Sequence, residues 1–342
     1  MTSTTEIFLP SKVEPSGLQV RASRLPAPAN GQVVLRMDAT GVSFAEQQMR
    51  RGKYYDQPSF PFVPGYDVVG TVTSAGPGVD AGLIGQRFAA VIKIGGWASH
   101  LLVEAADLVP VPSSVPAAAA ETVAVNGITA WQMLHRSATV RPGGTVVVLG
   151  ANGGVGSLLV QLALHAGLTV IGTASPRHHA ALRELGVTPV DYRDPDQMYR
   201  QIREHAPAGV DAVFDHVGGP RLADSWRLLR RGGTLVSYGT AATKDDEGNS
   251  QLPVLTSFAR LFVWNLLPNG RRANFYNFWA GRRFGIEGFR RRLREDLTQV
   301  LRLVADGAVV PQIAAQFPLS DAAAALTLAE SRTVSGKVVI VP

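Results

Sequence analysis

Thr145-Val-Val-Val-Leu-Gly-Ala-Asn-Gly-Gly-Val-Gly156 is the stretch on which the reading of the fold turns. Residues 145–149 are β-branched or aliphatic throughout, as in a strand buried on both faces of a parallel sheet. Glycines then crowd the turn, and residues 155–166 have the length and apolar spacing of a packed helix ended by Gly167. Strand, glycine turn and helix make the first unit of a dinucleotide-binding fold, in which a pyrophosphate rests on free backbone N–H groups at the helix start. Gly150, Ala151, Asn152, Gly153, Gly154, Val155 and Gly156 are therefore candidate cofactor-binding residues. The fingerprint G-x-G-x-x-G is met only as Ala151-x-Gly153-x-x-Gly156, and a tight strand-to-helix turn without a ligand is the competing reading.

Downstream, strands are predicted at 169–174, 189–192, 210–215 and 234–238, with helices at 177–185, 194–205 and 220–230 between them. Such alternation implies an α/β domain built on a doubly wound parallel sheet, whose ligands sit at the carboxyl ends of the strands. Upstream, short apolar runs at 33–37, 68–72, 87–91 and 101–103 are separated by Pro and Gly, with one helical piece at 44–51. They predict a β-rich, partly barrel-like lobe. Val109-Pro-Val-Pro112 and Pro116-Ala-Ala-Ala-Ala120 mark a boundary before a helical stretch at 121–138. The expected domains are 1–121, a substrate and catalytic lobe; 122–265, a nucleotide-binding domain; and 266–342, a return to the first lobe. That return carries helices at 296–306 and 320–330 and a last strand at 337–341.

The 342 residues exceed what one core usually serves. Charged residues make up 18% of the chain and there is no cysteine, so disulfides, thiolate zinc sites and a cysteine nucleophile are excluded. The N-terminus lacks the basic start and apolar stretch of a signal peptide, and a cytoplasmic protein with no membrane span is expected. The net charge of +6 has its excess late, in Arg271-Arg272, Arg282-Arg283, Arg290-Arg-Arg292 and Arg294. No nucleic-acid module accompanies it, so a solvated basic helix face is expected and no nucleic-acid partner. Aromatic residues between 242 and 288 suggest a subunit interface, with a lid over an apolar substrate as the alternative.

An NAD-selective fold holds the ribose 2′-hydroxyl with a carboxylate about 20 residues after the glycine turn. Here that place reads Gly172-Thr-Ala-Ser-Pro-Arg-His-His179, with hydroxyls and cations and no acid. Ser175, Arg177, His178 or His179, and Arg193 after the third strand suit a 2′-phosphate. Cations at the positive end of a helix dipole argue for a compensating anion. NADPH is therefore the expected cofactor.

Gly41-Val-Ser-Phe-Ala-Glu46, Arg51-Gly-Lys-Tyr54, Pro61-Phe-Val-Pro-Gly-Tyr-Asp-Val-Val-Gly70, Asn126-Gly-Ile-Thr-Ala-Trp131, the glycine turn and Ser335-Gly-Lys-Val-Val339 span nearly the whole chain. In this order they resemble the medium-chain dehydrogenase/reductase superfamily, in its zinc-free quinone oxidoreductase and enoyl reductase-like branch. The resemblance implies a Rossmann sheet beside a GroES-like lobe. Zinc-dependent members carry cysteine where Ser43 stands and histidine where Tyr66 stands. The cysteine cluster of their structural zinc is missing as well, and the seven histidines never fall at H-E-x-x-H spacing.

What the resemblance implies is hydride transfer from a nicotinamide to a quinone or to the β-carbon of an α,β-unsaturated carbonyl. Such a reaction needs a hydrogen-bond donor at the carbonyl oxygen and a proton source. Tyr54 matches a tyrosine that donates the proton or positions substrate in enoyl reductases, with Tyr55 and Tyr66 in reserve, and Ser43 stands where a small polar group lies by the nicotinamide. Thr129 matches a threonine near the nicotinamide, and Asn126 lies one helical turn before it. His178 replaces a commoner lysine. Tyr192 and Arg193 match the adenine and phosphate side. Val217, Gly218, Tyr238 and Gly239 fall at strand ends where cofactor contacts gather, and Arg332 matches a basic residue near the phosphate. His216, adjacent to Asp215 and so on the opposite strand face, is expected to be structural. His100 and His135 are also expected to pack. The expected protein is a zinc-independent, NADPH-dependent, homodimeric reductase of a small apolar carbonyl or quinone. The alternatives are an enoyl-thioester reductase of a biosynthetic pathway, and a non-catalytic NADPH-binding protein with an RNA- or membrane-binding basic surface.

Overall fold

A computed structural model describes residues 2–54, 56–239, 252–331 and 333–342, with the backbone alone at 252–255 and 257. Tyr55, Arg332 and the start of the aromatic segment lie outside the described residues. The chain divides into two compact units, Met1–Ile128 with Gly281–Pro342, and Thr129–Ala280.

In the first unit β1 (Thr2–Phe8) and β2 (Gln19–Leu25) form an antiparallel pair. Strand β3 (Gln32–Val42) is followed by helix α1 (Phe44–Arg50), then by β4 (Asp67–Ala75), β5 (Arg87–Val91), β6 (His100–Glu104) and β7 (Val109–Pro110). Along β3, Val33, Leu35 and Met37 repeat at period two and enter the core with Val68 and Val72 of β4. Helix α2 (Ala117–Gln132) begins in this unit, continues past its boundary, and ends in a π-helical turn at Met133–Ala138.

The second unit runs β8 (Thr145–Val148), α3 (Gly154–His165), β9 (Thr169–Ala174), α4 (His179–Glu184), β10 (Thr188–Asp191), α5 (Pro195–His205), β11 (Val210–Asp215), α6 (Leu222–Arg227), β12 (Leu229–Ser237), α7 (Leu252–Asn265) and β13 (Arg272–Phe275). The sheet order is β10-β9-β8-β11-β12-β13, and every pairing is parallel. This is the doubly wound order, whose crevice opens at the switch point between β8 and β11. Val146, Val147 and Val148 are fully buried, as a central strand covered on both faces requires.

The chain then returns to the first unit through α8 (Ile286–Ala305), β14 (Ile313–Pro318), α9 (Ala322–Ser331) and β15 (Lys337–Val341). β15 pairs antiparallel with β3 inside a seven-stranded sheet. Helix α8 starts ten residues before the expected 296, because Phe289, Leu293, Leu297, Val300 and Leu301 form one buried stripe between the arginines. Part of the basic run is spent internally: Arg290 donates from Nε to Asp107 at 2.7 Å, and Arg294 donates to the Ala106 carbonyl at 3.0 Å. Among the described residues no helix is long and apolar enough to cross a membrane.

Candidate functional site

The glycine turn between β8 and α3 is held from β9. Gly150 N–H donates to Thr173 Oγ1 at 2.9 Å and Ala151 N–H to the Thr173 carbonyl at 2.9 Å, so one threonine fixes both ends of the bend. Thr173 is a supporting residue that the sequence pattern did not single out. Gly150 has φ +70°, a conformation that favours glycine. A Cβ on Gly156 would run into the Gly150 carbonyl, so helix and turn approach as closely as a phosphate cradle needs. Ala151, in the place of the first fingerprint glycine, is fully buried against Gly172, which leaves room for its methyl. Gly153 caps α3 with no side chain of its own, and Asn152, Gly154 and Val155 complete the turn.

The next strand, β9, ends at Ala174 and Ser175 caps the turn that follows, where Arg177 Nε donates to His178 Nε2 at 3.0 Å while His179 Nε2 meets the Ala174 carbonyl at 3.1 Å. Burial first, then the charges of Arg177 and His179, holds the His178 imidazole below its ordinary pKa. Asp191 of β10 pairs across the sheet with Ala174, and its carboxylate accepts from Arg193 Nε at 2.9 Å and Nη2 at 2.7 Å. That Arg193 contact holds Asp191 below the usual carboxylate range. A carboxylate thus stands near the basic turn although residues 172–179 contain none. Tyr192, between the two, is half exposed.

At the end of β11 the Asp215 carboxylate is absorbed by its own turn. Oδ1 accepts from the N–H groups of Val217 and Gly218 at 2.8 and 2.9 Å, and Oδ2 from Ser225 Oγ at 2.6 Å. His216, expected only to pack, reaches the Leu149 carbonyl with Nδ1 at 3.1 Å, and a Cβ on Gly150 would strike its ring. The Tyr238 ring lies 6.0 Å from it, and Gly239 runs against the His216 backbone too closely for a side chain. His216 is thereby placed against the glycine turn, with the Tyr238 ring and Gly239 beside His216 and with Val217 and Gly218 following it in the chain.

In the first unit, Ser43 caps α1 and makes a capping box with Glu46. Glu46 Oε2 accepts from the Ser43 N–H at 2.9 Å and from the Ser43 hydroxyl, and Oε1 accepts from the Tyr66 N–H at 2.7 Å. The Tyr54 and Tyr66 hydroxyls are 2.9 Å apart, with their rings edge to face at 86°. Behind them lies a buried ionic cluster: Lys337 Nζ is 3.0 Å from Glu121 Oε1, off the hydrogen-bonding angle, and 3.6 Å from Asp67 Oδ2. Gly41 has no side chain because one would overlap Glu121 and Lys337. Three of the motifs that carry the resemblance therefore meet at this cluster. A serine hydroxyl bound to Glu46 and a phenol bound to a second phenol offer neither the thiolate nor the imidazole that zinc takes in such sites, and this donor set does not fit the metal. Asn126 and Thr129 are both buried on α2, three residues apart and so on one face. His100 packs with Nδ1 3.3 Å from Ser99 Oγ, and His135 packs against the Trp131 ring at 4.1 Å.

Residues 29–113 match the family model described as alcohol dehydrogenase GroES-like domain, and residues 185–340 that described as zinc-binding dehydrogenase. A rat protein named synaptic vesicle membrane protein VAT-1 homolog is 32% identical over 95% of this chain and 80% of its own length. A probable quinone oxidoreductase of Schizosaccharomyces pombe is 29% identical over 96% of this chain and 95% of its own. A mitochondrial enoyl-[acyl-carrier-protein] reductase of Xenopus tropicalis is 28% identical over 95% and 91%. Among solved structures, a mycobacterial protein complexed with NADPH superposes with a TM-score of 0.82 at 27% identity, covering 99% of this chain and all of that one.

Proposed function

Because the chain belongs to the medium-chain dehydrogenase/reductase superfamily, in its quinone oxidoreductase-like branch, we propose that it is a zinc-independent reductase that uses NADPH to reduce a quinone or an α,β-unsaturated carbonyl. The observation that carries this reading is the Tyr54 and Tyr66 hydroxyl pair, which puts two linked O–H groups on the lobe where the metal-dependent members hold their metal. Bound NADPH supplies the hydride from its nicotinamide. The chain's own groups cradle the pyrophosphate on the 150–156 turn, place cations at 175–193 for the 2′-phosphate, and hold the ribose side with Val217, Gly218, Tyr238 and Gly239. Asn126, Thr129 and Ser43 position the nicotinamide end. Tyr54 donates to the acceptor oxygen and Tyr66 supports it, so that proton supply runs through hydroxyls where a zinc-bound alkoxide would otherwise form.

Turnover of NADPH at 340 nm against quinones, enones and enoyl thioesters, with a chelator present, tests the proposal. Tyr54→Phe is expected to lower kcat about a hundredfold with the Kd for NADPH unchanged, since a positioned proton donor contributes at least that much. An unchanged kcat removes Tyr54 from the mechanism. Tight NADPH binding without turnover on any acceptor removes the reductase assignment and leaves a non-catalytic NADPH-binding protein. The likeness to the frog enoyl reductase supports the narrower alternative of an enoyl-thioester substrate, and preference for thioesters over quinones in the same panel selects it.

The homodimer is proposed on the second unit. Among the described residues β13 is the last strand of its sheet, and α7, which packs on it, exposes Phe258, Phe262 and Val263, with Leu266 exposed just beyond its end. A strand edge with no partner among the described residues, beside an apolar helix face, suits a second copy of the chain. Sedimentation at twice the monomer mass is the expected result, and a monomer at micromolar concentration refutes it.

A further inference from the structure

The turn after β9 holds a cation and an imidazole that are already in contact. Arg177 Nε donates to His178 Nε2 at 3.0 Å. A ring nitrogen that accepts is unprotonated, so His178 stands neutral with its proton on Nδ1. His179 does not compete for that contact, because its own Nε2 is directed to the Ala174 carbonyl. Among the described residues, the end of β10 adds Asp191 and Arg193, which pair with one another. The turn therefore carries the charge of Arg177 and a second, on His178, that exists only if a proton arrives.

Resting on the reading of this turn as the 2′-phosphate side of a dinucleotide site, we propose that Arg177 and His178 form a proton-linked discriminator between NADPH and NADH. Arg177 turns its Nε–H from His178 to the phosphate. The Nε2 lone pair it leaves takes one proton from solvent, and His178 becomes a second cationic donor. Nothing else changes hands: one proton is bound, one hydrogen bond is exchanged, and no covalent bond to the nucleotide is made or broken. NADH has a hydroxyl at that position, gives Arg177 no anion to turn to, and leaves His178 neutral.

The sign follows from linkage. An opposite charge within about 4–6 Å raises a pKa by about 1–3 units, so His178 titrates higher in the complex than in the free protein, where burial and Arg177 hold it low. NADPH affinity is then greatest at acid pH and falls as pH rises through the complexed value. A phosphate monoester itself titrates near pH 6 and acts in the opposite sense, so the informative range lies above that, from about pH 6.5 to 8.5. A lysine at position 178 would stay charged throughout this range and give no slope.

Titration calorimetry of the full chain with NADPH and with NADH, at pH 7 in buffers of different ionisation enthalpy, reads the proton directly. Uptake of about half to one proton with NADPH and none with NADH is expected. Between pH 6.5 and 8.5 the Kd for NADPH should weaken roughly three- to tenfold while that for NADH stays level. H178Q should still bind NADPH but lose both the uptake and the slope, and H178K should bind with neither. NADPH binding without proton uptake, or uptake that survives in H178Q, overturns the discriminator while leaving the nucleotide site intact. Failure of either nucleotide to bind overturns the site and the discriminator together.

Discussion

Lys337→Met is expected to destabilise the first unit by about 3–5 kcal/mol, because it leaves buried carboxylates without their cation. The side chains of Lys337, Asp67 and Glu121 are all at most 2% exposed, and Glu46 lies in the same cluster. Burial pulls the Lys337 ammonium down, but Asp67, Glu121 and Glu46 more than offset it and hold its pKa above the usual value. Burial, added to by Asp67, pushes Glu121 well above the carboxylate range and raises Glu46, and Lys337 opposes the rise at both. Without the ammonium both carboxyls titrate higher still. A carboxyl whose folded pKa is raised contributes stability at low pH that is lost as pH climbs from its unfolded value through its folded one. The deficit of the variant should therefore be small at pH 5 and full at pH 8, where a fall in Tm of roughly 10 °C follows. Adding Glu121→Gln to Lys337→Met should recover part of it. A deficit that is the same at pH 5 and pH 8 would show that lost packing, not uncompensated charge, is responsible.

That cluster marks where sequence reading reaches its limit. Gly41, Asp67 and Lys337 belong to the motifs that identify the family, yet their positions 26 and 270 residues apart hold no sign that they share one cavity with Glu121. The parallel sheet was legible for the opposite reason. The runs at 145–149, 169–174, 210–215 and 234–238 are apolar and closed by a glycine or a helix cap, and period and length suffice to read them, whereas β12 starts five residues earlier, at Leu229, where the sequence reads as the end of a helix. β13 escaped because it has four residues, alternates Arg272 and Asn274 with Ala273 and Phe275, and owes its strand form to pairing with β12. The capping box Ser43-x-x-Glu46 and the Asp191-x-Arg193 pair could have been read from spacing, one helical turn and one strand repeat respectively. His216 could not: alternation along β11 gives its face, but the neighbour on that face is a carbonyl 67 residues earlier.

Gly156→Val is expected to abolish NADPH binding while the protein stays folded. A Cβ there meets the Gly150 carbonyl oxygen, and the carbonyl carbon stands only 2.9 Å away, so the obstacle is backbone and cannot turn aside. Gly150 in turn is pinned from two directions, by Thr173 Oγ1 on its N–H and by the Gly153 N–H on its carbonyl. The start of α3 must move away from the turn, and with it the N–H groups that would face the pyrophosphate. Charge-assisted hydrogen bonds contribute about 1.5–3 kcal/mol each, so misplacing two of them weakens binding by about 3–6 kcal/mol, roughly a hundred- to ten-thousandfold. Fluorescence titration with NADPH reads the loss, and far-ultraviolet dichroism with a melting curve establishes that the sheet persists. α3 is anchored farther along by Leu158, Leu159 and Leu162, all within 1% of full burial, which is why the helix shifts at its first turn and does not unravel. A folded Gly156→Val protein that binds NADPH as tightly as its parent would mean that the dinucleotide does not lie on this turn, and the placement of every cofactor residue from 150 to 239 would have to be abandoned with it.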